Sequence, residues 1–415
     1  IILGHYVGES GIAIVGVANP INFIVMGFLI GSAYGFGVIM ARSFGAGDFK
    51  EFRKYFFNSI ILSIIIGIVF TIVLSLVNSY LLELISTPAE LFDGAHKFLF
   101  ILYIGCASSL IYNLFAATLR SIGNSFTPVL FLLLSVVINA ILAYVFVAIF
   151  SWGVEGSAVA TIIAQAASAL CCYIYINRKY PQIRLTKQDA VLDISHMKNL
   201  ILQGAPMGMQ FSFTGIGLIV VQKFLNGFGT NYIAGYSVGV RIQNIVSYVY
   251  VALGTAISTF ISQNIGAKRM YRIPKAVKYT TLITIGCAIF STIVIRFFGP
   301  NFISLFTTAP NEELTHATVT YFNNVTLAYI PLGLIILYRS ALQGYGFPIT
   351  AMMAGIIELI NRVVIVIFLT DSFGFLAICL ADSVNWVITA VFLLTVYFIA
   401  TRSHKNKNKE FYIEP

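Results

Sequence analysis

Three ionisable residues stand in stretches of this chain that are otherwise uncharged and apolar: Glu358, Arg362 and Asp382. Glu358 falls about ten residues into a run that starts near Ile349, and Arg362 follows one helical turn later on the same face. Asp382 lies about eight residues into the last apolar run, with no charged neighbour at i±3 or i±4. A charge inside a bilayer costs at least ~2.5 kcal/mol unless it is paired, so all three are candidates for cation coupling. Glu358 reads either as a proton carrier tuned by Arg362 or as one half of a fixed ion pair. A permanent cation alongside opposes protonation and favours the second reading. Asp382, isolated among apolar neighbours, suits a site that takes up a proton; it reads equally as a residue near enough to the outer interface to be hydrated.

Polar residues in similar runs could line a substrate cavity, which needs apolar and aromatic walls with a few tolerant polar groups. The candidates are Asn19, Asn22 and Tyr34 in the first run, Asn113 and Asn139 further on, and Gln203, Gln210, Arg241, Asn244 and Tyr248 in the second half. Interhelical hydrogen bonding accounts for any one of them equally well. Arg241 holds an anion, pairs with an acid across a bundle, or snorkels outward. The five cysteines all sit in apolar runs at spacings that suit neither zinc nor a disulfide. No Gly-x-x-x-x-Gly-Lys-Ser/Thr loop is present, so energy from a nucleotide is not expected. Neither an enzyme nor a bound cofactor is expected; the only cofactor-like species is a coupling ion.

The elements that must hold these residues are membrane helices. Charged residues make up 10% of the chain, and none occurs between Glu9 and Arg42, Lys54 and Glu83, Lys97 and Arg120, or Arg120 and Glu155. Each window holds the ~20 residues that cross a ~30 Å hydrocarbon layer. Lipid leaves unpaired backbone groups no partner, so the runs are helices. Eleven complete spans are expected, the first near Met26 and the last near Val391. Ile1-Ile2-Leu3 reads as the tail of a further helix, which makes the expected plan twelve helices with the first largely missing.

Twenty of the twenty-five Lys and Arg fall around 42–54, 120, 178–198, 268–278, 339 and 402–409, which assigns those segments and the C-terminus to the cytoplasm. The net charge of +9 is then topological, and anionic lipid headgroups are a more natural partner than nucleic acid.

The second half echoes the first. Ser43-Phe44-Gly45-Ala46-Gly47-Asp48 matches Asn264-Ile265-Gly266-Ala267-Lys268-Arg269 at an offset of 221. Leu119-Arg120-Ser121-Ile122-Gly123 matches Leu342-Gln343-Gly344-Tyr345-Gly346 at 223, and Gly153 to Ala160 matches Gly374 to Ala381 at 221. The expected organisation is an N-terminal lobe over 1–177, a cytoplasmic linker over 178–198, a C-terminal lobe over 199–401 and a cytoplasmic tail over 402–415. Six helices per half put both halves in the same orientation, the parallel-repeat arrangement of some secondary transporters.

At these residues the chain resembles the multidrug and toxic compound extrusion (MATE) family, in its bacterial branch. The matching stretches are Gly4-His5-Tyr6-Val7-Gly8, the Gly27/Gly31/Gly35 helix leading into Phe44 to Asp48, Leu119 to Asn124, Gln263 to Ala267 and Gln343 to Gly346. The resemblance implies an all-α integral membrane fold, with two six-helix lobes in a V-shaped bundle. It also implies export of amphipathic or cationic organic compounds in exchange for H⁺ or Na⁺, by a monomer in the bacterial plasma membrane. The family's usual acid in helix one would precede the first residue here. Its acids in helices seven and ten have no counterpart in the apolar bodies of 203–222 and 313–338. The alternative is a flippase for lipid-linked saccharides or lipids, which would want several cavity arginines or lysines; only Arg241 and Arg362 fall within the expected spans.

Overall fold

The structure is a computed structural model that describes residues 2–303 and 311–412; Ile1 and the last residues of the expected tail lie outside them. The described residues form helices and no strand: α1 (Ile2–Tyr6), α2 (Glu9–Gly45), α3 (Phe49–Leu84), α4 (Ala89–Ile104), α5 (Cys106–Ser121), α6 (Phe126–Tyr144), α7 (Gly153–Lys179), α8 (Ile194–Leu225), α9 (Thr230–Gly266), α10 (Arg272–Ile303), α11 (Glu312–Val325), α12 (Tyr329–Tyr345), α13 (Pro348–Phe373) and α14 (Phe375–Lys407). Among these residues ten helical stretches are each long and apolar enough to cross a bilayer, and α4 with α5 makes an eleventh, bent by 47°. The apolar runs of the sequence predict the same number.

Two compact units divide the chain, Ile1–Ser212 and Phe213–Pro415, and the division falls inside α8. In the first unit α2 packs on α5 and α4, α3 on α5 and α4, and α6 on α7. In the second, α9 packs on α12 and α11, α10 on α12, and α13 on α14.

The helix corners follow from the repeat motif. Gly47 turns the chain out of α2 at φ 70°, and Asp48 then caps α3 by accepting from the Glu51 N–H at 2.9 Å. In the second half Lys268 takes the same left-handed turn at φ 56°. The Gly27, Gly31 and Gly35 stripe of α2 meets the first half of α8. A Cβ on Gly31 would lie 2.4 Å from the Met207 carbonyl oxygen, and one on Gly35 would lie 2.5 Å from the Gly204 Cα. Only a surface without side chains permits that approach.

Both halves interrupt the α-helix of one span at the same repeat position. The first bends by 47° at Gly105, between α4 and α5; the second passes through a single 3₁₀ turn at Thr326–Ala328, between α11 and α12, and stays one continuous stretch. Pro331 falls in the first turn after the second break, where its missing N–H has no helical acceptor to lose. Pro20, by contrast, lies within a continuous α2. Each break is propped by a threonine on the neighbouring helix. Thr71 of α3 donates to the Tyr103 carbonyl at 2.5 Å, and Thr292 of α10 donates to the Thr326 carbonyl at 2.9 Å. The donors and acceptors are themselves repeat equivalents.

Residues 178–198 are strapped to α3. Arg53 Nε lies 2.9 Å from Asp189 Oδ2, Arg53 also donates to the Gln182 carbonyl, and Asn58 donates to the Val191 carbonyl at 3.1 Å. His196 sits with Nε2 2.9 Å from Glu51 and Nδ1 2.7 Å from Asp193. Burial alone would push Asp189 up, but hydrogen bonds from Thr186 and the Arg53 guanidinium outweigh it and hold the carboxyl below its usual range.

Candidate functional site: a buried charge cluster

Glu358 and Arg362 lie on α13 and Asp382 on α14, and each residue is 4% exposed. The local pairing of Glu358 with Arg362, expected from their spacing, is not the one formed. Arg362 instead reaches α14, with Nη2 3.2 Å and Nε 3.3 Å from Asp382 Oδ1. Glu358 is bound by Arg339 of α12, a residue expected in a loop but found well inside a helix. The physical reason is packing: an i,i+4 pair can form on one helix, but α13 lies against α14 and α12, which bring Asp382 and Arg339 within reach. Asp382 is therefore not isolated, since the helix packed beside it supplies the missing partner.

Further groups complete the shell. Tyr321 of α11 donates to Gln243 Oε1 of α9 at 3.0 Å and contacts Asp382 Oδ2 at 3.5 Å. Thr214 donates to Glu358 Oε2 at 3.3 Å. Gly217 leaves room for Arg362, whose Cδ would stand 3.2 Å from a Cβ added there. Arg362 Nη1 and Asn385 Nδ2 are buried and make no hydrogen bond among the described residues. With both carboxyls ionised, two anions face two permanent cations and the set is electroneutral. Low dielectric strengthens each attraction, but an unmatched member would be costly.

The cavity candidates of the first unit are spread over several helices with separate partners. Asn113 donates to the Ser109 carbonyl of its own helix at 2.8 Å, and Asn139 donates to Thr161 across α6 and α7 at 3.0 Å. Tyr34 lies under the Arg120 guanidinium, 4.9 Å from ring centroid to carbon. Asn19 is exposed, Asn22 is partly buried, and Gln203 and Gln210 are buried on the α8 segment of the first unit. Arg241, Asn244 and Tyr248 form a separate exposed stripe on α9 at helical spacing. No group of three or more His, Cys, Asp or Glu able to hold a metal occurs among the described residues.

Sequence reasoning missed Arg339 and Tyr321. The signal for Arg339 was its position: it directly follows Tyr329 to Tyr338, apolar apart from Tyr, Pro and Gly, and precedes the Gly344–Gly346 corner by a full helical turn. Nothing in the spacing of Tyr321 marks its hydroxyl as a bridge.

Known proteins agree with this architecture. The MatE family model matches residues 1–145 and 206–368. The chain is 25% identical over 315 residues to a probable multidrug resistance protein, YpnP, of Bacillus subtilis, covering 74% of this chain and 69% of that relative. It is 22% identical over 364 residues to a FAD transporter of Shewanella oneidensis, covering 85% and 78%. A crystal structure of MATE in the bent conformation superposes with a TM-score of 0.88 at 18% identity, covering 99% of this chain and 91% of that one. The family match spans most of the chain in both halves, and the two repeated helical sets with their interrupted helices fit the fold of that solved structure: the chain belongs to the MatE family.

Proposed function

We propose that the protein exports amphipathic, often cationic, organic molecules in exchange for H⁺ or Na⁺ by alternating access, as a monomer in a bacterial plasma membrane with its C-terminus in the cytoplasm. The observation that carries this reading is the electroneutral set of Glu358, Arg339, Asp382 and Arg362 buried in an otherwise apolar bundle. Protonating either carboxyl leaves its guanidinium unmatched in low dielectric, which costs several kcal/mol until water or a rearranged partner relieves it. Cation uptake is thereby tied to opening of the bundle. A two-state carrier needs such a link, because a ligand shifts an equilibrium only by its differential affinity for the two states. Glu358, Asp382 and Arg362 remain the coupling candidates, joined by Arg339. The names of the Bacillus and Shewanella relatives support transport of organic compounds, and the exposed α9 stripe of Arg241, Asn244 and Tyr248 supplies mixed polar and aromatic contacts.

The flippase reading is not favoured. Arg339 and Arg362 are engaged by carboxylates rather than open to a pyrophosphate. The test is uptake of ethidium by everted vesicles carrying the protein, under an imposed pH gradient and, separately, a Na⁺ gradient. Uptake above that of empty vesicles under at least one gradient is expected; uptake no greater than that of empty vesicles under either would reject the proposal.

A further inference from the structure

Where α10, α12 and α14 converge with residues 409–412, the second unit has an open cavity of about 660 Å³. Its inner wall is apolar and aromatic, built from Val277, Tyr338, Tyr345 and Tyr397. Lys278, Arg402 and Lys405 stand around it, all exposed, and none forms an ion pair among the described residues. One side is closed by Tyr412, whose hydroxyl is 3.1 Å from His404 Nδ1, while the Tyr271 N–H donates to the Phe411 carbonyl at 3.1 Å. The other side opens past Leu282 and Phe398, which are 55% and 62% exposed on helices that cross the membrane. The cavity thus meets both the hydrocarbon-facing surface and the end of the bundle where the basic loops lie.

The first half shows what this space looks like when filled. At the repeat offsets, Val277, Tyr338, Tyr345 and Tyr397 correspond to Phe56, Phe115, Ile122 and Ile176. There Ile183, from the strap on α3, is fully buried in the same cluster as Phe56, Phe115 and Ile176. In the second half Phe411 and Tyr412 pack only partly buried against the corresponding cluster, and a cavity with three cations at its rim remains beside them.

We propose that this cavity binds an anionic phospholipid of the leaflet next to the basic loops. Lys278, Arg402 and Lys405 hold the phosphate, and an acyl chain runs over Leu282 and Phe398. Clustered cations beside membrane helices attract anionic headgroups. A free phosphate would leave the aromatic wall and the lateral opening unused, and a cationic amphiphile would be repelled by the rim.

The test is native mass spectrometry of the full chain in neutral detergent, titrated with phosphatidylglycerol and phosphatidylcholine of equal chain length. The first bound lipid is expected to favour phosphatidylglycerol by about ten-fold. In Lys278→Gln/Arg402→Gln/Lys405→Gln that preference should fall to near parity. In Arg184→Gln/Lys187→Gln/Lys198→Gln, which removes the same charge from exposed positions of the first unit, it should persist. If the cavity triple does not insert, Lys278→Gln and Lys405→Gln alone carry the test, each with a loss of about three-fold. An unchanged preference in the cavity variants, or an equal loss in both triples, would overturn the site. Inorganic phosphate that displaces the lipid at equal concentration would overturn its assignment to a lipid.

Discussion

Arg362 and Asp382 join α13 to α14 through an ion pair with Nη2 3.2 Å from Oδ1, at the place where the first half joins α6 to α7 by the neutral Asn139–Thr161 hydrogen bond of 3.0 Å. The sequence separations, 223 between Arg362 and Asn139 and 221 between Asp382 and Thr161, are the offsets of the repeat itself. One structural position thus carries a charge pair in the second half and an uncharged one in the first.

Removing one member of the pair leaves the other buried and uncompensated. Asp382→Asn and Arg362→Met are each expected to destabilise the protein by about 3–5 kcal/mol, and Arg362→Met/Asp382→Leu to recover most of that loss. Thermal unfolding in detergent measures the cycle. Additive losses in the double variant would show that the two residues do not act as a pair. The same double variant should insert yet fail to drive ethidium uptake, whereas loss of the protein from the membrane would mark a purely structural role.

Glu358→Gln separates the two guanidinium partners. Because Arg339 binds Glu358, the substitution should be partly relieved by Arg339→Gln but unaffected by Arg362→Met. Uptake assays and thermal unfolding of the single and double variants check it. Relief by the Arg362 change alone would restore the local i,i+4 pairing.

Gly31→Ala puts a methyl group 2.4 Å from the Met207 carbonyl oxygen, with helix backbone on both sides and nothing flexible to move. A loss of about 1–3 kcal/mol is expected. Gly16→Ala on the same helix meets nothing within 4 Å and should stay within about 1 kcal/mol of the parent. Unfolding midpoints of the two variants side by side test the glycine stripe directly.

The strap over 178–198 responds to acid. Asp189 has a lowered proton affinity when docked, so its contribution is present above the carboxyl's unfolded value, about 3.9, and is lost as pH falls through the lower docked value. Amide protection over 178–198, corrected for the intrinsic exchange rate at each pH, should therefore hold down to about pH 4 and decline at lower pH, while trypsin at neutral pH cuts slowly at the exposed Arg184 and Lys187. Asp189→Asn should be cut faster at neutral pH. Equal cutting rates for the two proteins would show that the carboxylate does not hold the strap.

The elements were legible in the sequence and the partners were not. Long apolar runs with few or no charges mark eleven spans because lipid tolerates so few alternatives, and the Gly27/Gly31/Gly35 spacing announces a smooth helix face wherever it packs. Ion pairing across helices follows a different logic. Periodicity places Glu358 and Arg362 on one face, but it says nothing of which helix will lie against that face, and Arg339 and Asp382 arrive from two others. Arg339 was also masked by its closeness to the Gly344–Gly346 corner, which made it look like a loop residue. The break at Gly105 leaves no mark either, since a lone glycine in an apolar run reads as packing.

That interruption recurs together with its support. Gly105 and Thr326–Ala328 interrupt equivalent helices, and Thr71 and Thr292 satisfy equivalent carbonyls. A carbonyl released from the helical ladder in lipid needs a donor, and the same hydroxyl supplies it in both halves. Losing either threonine would leave that oxygen unanswered inside the bilayer, so the interruption and its brace form a unit that neither half can shed by one substitution.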